Sequence, residues 1–500
     1  MHPIDFFFRA AKRSPERIAL ESPSEQLSYQ VLAQRVQALA CALQAIDPEP
    51  QSRVAIGAGN TLEHVTALLA VLAAGKVWVP LNVRSTPSEI ARITATIEPS
   101  IVITDGKGAE LIGPGLFTWL RLDPGFESDH CIASLSLRYA GQVPSINAVD
   151  EEGIQAIKFT GGTTGVPKGV MQPYRAWMAG IINQINGWQI TQEDCYVVTA
   201  PVTHGTSTYL LPLLAQGGKL LFLDKTDPSS VIQAFRELGG TMSFMPPTLI
   251  YMVMAYPGVS KADFPRLRNL IYGGAPMPAE KVDQIRAFFG EVLGTNYGQT
   301  EAPQVATIMP PSGFADPRNR GSVGLCTWLS DLAIMSPAGT ILPENTIGEV
   351  VIRGHLVMKG YWRLPEKTAE TLIDGWLHTG DVGLIDERGY LFLKDRIRDV
   401  IITGGFNIYP TDVENILSQH PAVYECAVFG MPDEKWGEAV HAAIQLRPEM
   451  TCEPAELIAF VKEALGSVHA PKVIHFFDKL PVSSVGKVLK TAIREQLTSR

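Results

Sequence analysis

The sequence predicts an α/β fold, and three changes of rhythm along its 500 residues carry that expectation. From about residue 28 to 290, helix-period segments alternate with short apolar runs such as Val54-Ala55-Ile56, which precedes the apolar segment 61–74, and Ile101-Val102-Ile103-Thr104. Such alternation builds layered α/β units with largely parallel sheets. Between about 305 and 400, short β runs at 332–335, 349–353 and 390–393 are separated by Gly, Pro and Asp turns. That spacing predicts a small antiparallel or barrel-like sheet. After Lys394-Asp395-Arg396 the mixed rhythm returns, with apolar runs at 400–403, 425–429 and 441–446 and a helix over 410–418. The expectation is a large N-terminal part of stacked α/β subdomains plus a small β-barrel over 1–394, then a separate α/β C-terminal lobe over 395–500.

Composition narrows the function classes. Apolar residues make up 46% and charged residues 19%, as in an ordinary globular chain rather than a disordered one. The net charge of −9, with basic residues scattered, disfavours nucleic acid as a partner. The six cysteines lie far apart without CxxC spacing, which reads as reduced, buried thiols. The N-terminal apolar patch is broken by Arg9, Lys12 and Arg13, unlike a secretory signal, and the apolar stretch 65–74 stops at Gly75-Lys76, short of a membrane span. A cytoplasmic location is expected.

The most informative segment is Thr160-Gly161-Gly162-Thr163-Thr164-Gly165-Val166-Pro167-Lys168-Gly169. Its glycines let backbone N–H groups approach an anion, and its threonines and lysine add donors and charge, which suits a phosphate. It is not a Walker A loop, because Pro167 precedes the lysine and Gly169 follows it. By itself it also reads as an ordinary surface turn.

Further segments follow. They are Tyr272-Gly273-Gly274-Ala275-Pro276, Asn296-Tyr297-Gly298-Gln299-Thr300-Glu301 and Gly375-Trp376-Leu377-His378-Thr379-Gly380-Asp381. Then come Asp395-Arg396-Ile397-Arg398-Asp399 with Thr403-Gly404-Gly405-Phe406-Asn407, and finally Pro481-Val482-Ser483-Ser484-Val485-Gly486-Lys487. In this order, and over essentially the whole chain, they resemble the adenylate-forming family of acyl-CoA synthetases, adenylation domains and luciferases. The resemblance implies a ligase that uses ATP, Mg²⁺ and CoA to activate a carboxylic acid to acyl-AMP and convert it to acyl-CoA.

Each residue type suits the part the resemblance implies. Thr160, Gly161, Gly162, Thr163, Thr164, Gly165 and Lys168 would hold ATP phosphates, with Gly274, Ala275, Pro276, Asn296, Tyr297, Gly298 and Thr300 around the nucleotide. The Tyr297 ring can stack on a purine, and Glu301 is an oxygen ligand for Mg²⁺. Asp381 can accept from two ribose hydroxyls, with Arg396 beside it. Taken singly, Tyr297 also reads as a core tyrosine, Glu301 as a solvated carboxylate and Asp381 as a turn residue. Lys487 is the catalytic cation implied for adenylation, and His204 would stand beside the acyl carboxylate. Asp395 is the implied hinge, and Gly404, Gly405 and Phe406 would meet the pantetheine of CoA. Segments 205–211, 242–248 and 273–275 are small and apolar and would line the acyl pocket, favouring a fatty or aromatic acid.

The chain departs from the family pattern at Gly161, where serine is usual, and at Arg398, where lysine is common. No Asp near His204 is placed to bind an amino-acid ammonium, so an amino acid is disfavoured. A carrier-protein thiol or another acceptor in place of CoA, a non-catalytic nucleotide-binding relative, and a homodimer all remain open.

Overall fold

The computed structural model describes residues 1–123, 130–145, 149–160, 167–274, 277–303, 305–482 and 488–498. Two large sheets and their covering helices form the N-terminal part. In one, strands Arg53–Gly57, Val77–Pro80, Ile101–Thr104 and Thr118–Arg121 run parallel, with Ile154–Thr160 beside Val77–Pro80. Helix Leu62–Ala73 crosses between two of these strands, and Thr61 starts it by accepting from the His64 N–H. The helix is apolar on nearly all sides because it lies inside the core with Leu39, Trp78 and Leu120.

In the second sheet, Cys195–Val197, Lys219–Leu221, Met242–Met245, Asn269–Tyr272 and Leu293–Tyr297 pair in parallel. Nearly every residue of these strands is buried, polar ones such as Ser243, Asn269 and Thr295 included, as fits strands covered on both faces. The antiparallel strands expected after residue 305 are present: Ser330–Met335, Gly348–Gly354, Trp376–Ile385 and Tyr390–Arg396. Their ladder passes through Gly324–Cys326 and Thr307–Met309 into the parallel strands, so all belong to one continuous sheet. This continuity brings Tyr297, at the end of a parallel strand, close to Asp381 in an antiparallel one.

A C-terminal lobe has its own sheet, in which Gly437–Leu446 pairs with Val423–Asp433, Ile401–Thr403 and Val473–Phe476. Helices Pro410–Leu417 and Pro454–Leu465 close a core that includes Val413, Val428, Ile444 and Val461. All six cysteines are free, but only Cys41, Cys131 and Cys195 are buried. Cys426 and Cys452 are half-buried, and Cys326 is exposed on a strand end, which corrects the expectation of six buried thiols. Among the described residues, no helix is long and apolar enough to cross a membrane.

Candidate active site

The phosphate-loop segment joins two antiparallel strands, Ile154–Thr160 and Lys168–Pro173, with Thr160 directly opposite Lys168. Gly161, Gly162, Thr163, Thr164 and Gly165 lie outside the described residues, as do Ala275, Pro276 and Lys487. The Lys168 ammonium stands 4.6 Å from the Tyr361 ring centroid. Tyr361 in turn donates to Glu301 Oε1 at 2.8 Å. Burial lowers the Lys168 pKa, with Lys367 and Arg398 repelling it and Glu301 partly offsetting them. Lys168 thus stands in a mixed field, near the cations Lys367 and Arg398 and the carboxylates Glu301 and Glu370, with Lys367 paired to Glu370. Tyr361 was not singled out in the sequence, where only its aromaticity after Gly360 marks it.

Four residues from three segments form a polar network around Asp381. Asp381 is 7% exposed. Its Oδ2 accepts from Tyr297 Oη at 2.6 Å and from Gln299 Nε2, and its Oδ1 pairs with Arg396 Nε at 2.6 Å. Gln299 also donates to the Thr379 carbonyl at 2.9 Å, so the turn before Asp381 is held to the segment after Tyr297. Burial raises the Tyr297 pKa well above the usual phenol, and the neighbouring Asp381 charge adds to it, so Tyr297 stays a neutral donor. Gln299 belongs to the quoted motif yet was given no role; its amide completes the network.

Asn296 points elsewhere and donates to Tyr209 Oη at 2.9 Å. Gly298 and Thr300 follow in the same turn, whose Thr300 carbonyl accepts from Gln172 at 2.8 Å. Gly274 has a positive φ of +80° and open space where a side chain would stand. Gly273, by contrast, faces the Phe244 ring, as does Gly205; a Cβ at these positions would lie 2.8 Å and 2.9 Å from it. The three segments expected to line the acyl pocket therefore converge, with Phe244 filling the space between the two glycines.

His204 begins helix Gly205–Gln216, its Nδ1 3.0 Å from Thr203 Oγ1. Desolvation of the ring lowers its pKa to about 4, with the charges of Lys158 and Arg84 adding to the effect, while the residue as a whole keeps an exposed edge. The ring is therefore a neutral imidazole at neutral pH.

The end of strand Tyr390–Arg396 serves both parts of the molecule. Arg396 reaches Asp381, whereas Asp395 Oδ2 accepts from the backbone N–H and hydroxyl of Thr411, both at 3.1 Å, at the start of the first C-terminal helix. Gly404 has φ +57° and donates to the Trp436 carbonyl at 2.8 Å, with its α-carbon against the indole. Phe406 is exposed beside this turn. The segment 404–406 thus belongs to the C-terminal lobe's surface and joins neither polar cluster above.

Glu301 offers a hard carboxylate oxygen of the kind Mg²⁺ prefers, with one oxygen engaged by Tyr361. The segments that carry these groups follow one another along the chain in the order found in enzymes that make adenylates. Comparison with known proteins agrees. Residues 7–362 match the model of the AMP-binding enzyme family, and residues 412–487 match the AMP-binding enzyme C-terminal domain. A feruloyl-CoA synthase of Amycolatopsis sp is 33% identical over 490 residues, covering 98% of this chain and 97% of that protein. A fatty acid–[acyl-carrier-protein] ligase, ScoC, of Streptomyces coeruleorubidus is 30% identical, with 97% and 94% covered. The solved amide bond synthetase McbA from Marinactinospora thermotolerans superposes with a TM-score of 0.90 at 30% identity, covering 99% of this chain and 100% of that one. The chain belongs to the AMP-binding enzyme family, as an AMP-forming carboxylate–CoA ligase.

Proposed function

We propose that this ligase activates an aromatic or fatty acid, and that the nucleotide is held chiefly by Tyr297, Asp381 and Arg396. The single observation behind the nucleotide assignment is the Tyr297–Gln299–Asp381–Arg396 network, drawn from three segments onto one buried carboxylate. Asp381 Oδ1, which among the described residues accepts only from Arg396, keeps one acceptor site for a ribose hydroxyl, and the Tyr297 ring presents an edge and face to a base. An aromatic acid also fits the activity for which the feruloyl-CoA synthase relative is named.

The acid's carboxylate attacks the α-phosphorus of ATP, an acyl–phosphate bond forms as the bond to pyrophosphate breaks, and the excellent leaving group AMP is then displaced by a thiol. Thr160, Lys168 and the intervening loop bind the departing pyrophosphate. Glu301 is the Mg²⁺ ligand, and the ion neutralises phosphate charge when bound. Lys487 stabilises the α-phosphate as its charge builds. His204, uncharged at neutral pH, acts on the acid's carboxylate as a hydrogen-bonding group and not as a cation.

Residues 395–500 turn about Asp395 between the two half-reactions, carrying Lys487 away and bringing Gly404, Gly405 and Phe406 to the pantetheine. We place the enzyme in the cytoplasm, with Mg²⁺ as its metal, and include a homodimer in the same proposal. Incubating the protein with ATP, Mg²⁺ and fatty, aryl and dicarboxylic acids, with and without CoA, tests the reading by product mass. AMP together with an aryl- or fatty acyl-CoA is the expected result. Acyl-AMP that persists in the presence of CoA would point to a carrier thiol or amine, the acceptor classes of ScoC and McbA. ADP would overturn adenylation altogether.

A further inference from the structure

Helix Gly205–Gln216 has two differently furnished faces. On one, Gly205 and Tyr209 pack against Phe244, whose ring centroid is 5.6 Å from that of Tyr209, leaving little room. On the other, Thr208 and Leu211 border a small recess of about 20 Å³, room for one water-sized group such as a hydroxyl. Lys158, Trp177, Gln184 and Pro303 are among the other residues that line it. Pro303 is two residues beyond Glu301, and Gln172, also in the wall, donates to the Thr300 carbonyl. The recess therefore lies next to the turn assigned to nucleotide and metal.

Two polar groups on this border are incompletely used. Lys158 extends from an otherwise apolar stretch of strand Ile154–Thr160, two residues before the phosphate loop. Its Nζ donates to Ser207 Oγ at 2.9 Å and lies 5.0 Å and 5.4 Å from the ring centroids of Trp78 and Trp177. An ammonium has three donors. Among the described residues no carboxylate pairs with it, and desolvation accordingly pushes its pKa down to about 7. Gln184 is 1% exposed; its Nε2 donates to the Thr208 carbonyl at 2.6 Å, while its buried Oε1 has no partner among the described residues.

A spare donor and an unpaired acceptor in one apolar-walled recess are complementary to a group that both accepts and donates. A hydroxyl is the smallest such group. We infer that Lys158 and Gln184 are specificity-determining residues that bind a hydroxyl on the acyl portion of the substrate, so that the preferred acid is a hydroxylated one, phenolic or alcoholic. This deepens the carboxylate-activation reading and rests on it. The ordinary alternative for the lysine is a snorkelling side chain whose stem merely packs on the two indoles.

The test compares matched acids, 4-hydroxycinnamic with cinnamic acid and 6-hydroxyhexanoic with hexanoic acid, by AMP release in the presence of CoA. The parent enzyme is expected to favour the hydroxylated member of at least one pair by tenfold or more in kcat/KM. Lys158→Met should reduce kcat/KM for that acid about 30-fold, the scale of a lost hydrogen bond to a charged group, and for its unhydroxylated partner less than threefold. Gln184→Leu should lower the same preference by about fivefold, leaving the KM for ATP in place. Thermal unfolding of each variant establishes that it is folded, and Lys158→Arg, which keeps the charge, should recover part of the preference.

Equal losses on both members of a pair, or none on either, would overturn the inference while leaving carboxylate activation intact. A parent enzyme that prefers 4-carboxycinnamic to 4-hydroxycinnamic acid would likewise overturn the hydroxyl assignment. Failure to release AMP with any acid would bring down the parent reading and this one with it.

Discussion

The proposed nucleotide side and the proposed acyl side of this ligase are built on opposite plans. Around Asp381 the charges are matched before any substrate arrives: Tyr297, Gln299 and Arg396 already occupy both carboxylate oxygens. Around Lys158 they are unmatched among the described residues, with an ammonium facing two indoles and an amide oxygen left without a donor. A site that must accept the same ATP at every turnover gains from preorganisation, since no reorganisation is then needed when charge develops. A site that must choose among acids gains from groups left costly until the correct acid satisfies them, because an analogue that cannot do so leaves them unpaired.

The largest expected effect lies on the nucleotide side. Lys487→Ala should slow adenylation by about 10²- to 10³-fold, the range seen when one charge-stabilising donor is removed. Conversion of a supplied acyl-adenylate to thioester should survive; stopped-flow measurement of both half-reactions would separate the steps, and loss of the second would contradict the division of labour between lobes. Asp381→Asn keeps the shape of the network and removes its charge. It should lower kcat/KM for ATP about 30-fold, by the same factor whichever acid is present. An acid-dependent factor would blur the distinction between the two sides.

A smaller change sharpens the acyl side. Gly205→Ala places a methyl 2.9 Å from the Phe244 ring, so that ring must shift, at about 1–3 kcal/mol. The unfolding midpoint should fall and KM for bulky aryl acids rise about tenfold, with KM for ATP unmoved. A matching rise for ATP would mean that Phe244 braces the nucleotide network as well.

The least effect concerns pH. The His204 pKa is lowered in the folded chain to about 4, so between the ordinary histidine value and about 4 the unfolded chain binds a proton that the folded chain refuses. Stability from this residue therefore falls as pH drops through that window. His204→Gln should flatten the acid limb of a denaturation-versus-pH curve, and an unchanged limb would show that the ring charges freely in place.

These two plans were unequally legible in the sequence. Tyr297, Asp381, Arg396 and Asp395 stand in short segments whose order alone drew attention to them, and the α/β rhythm located the strands that carry them. Gln299 was visible in its motif, but its amide becomes meaningful only when Thr379 and Asp381 are brought beside it by the sheet. Tyr361 and Lys158 carry no local signature. Their significance arises from contacts with Glu301, Ser207 and two tryptophans, made by strand pairing and helix packing that periodicity cannot position. The expected run of buried thiols failed at Cys326 because that residue ends a short strand, where composition gives no warning of exposure.

Strand Tyr390–Arg396 imposes a rule on the history of this chain. Neighbouring side chains of a strand point to opposite sides, so Arg396 can serve the buried carboxylate while Asp395 holds the neighbouring helix. Inserting or deleting one residue before position 395 would exchange the two, turning the cation outward and a second acid toward Asp381. Lineages descended from this enzyme are therefore free to substitute within the segment, but length changes should accumulate in the turns that flank it.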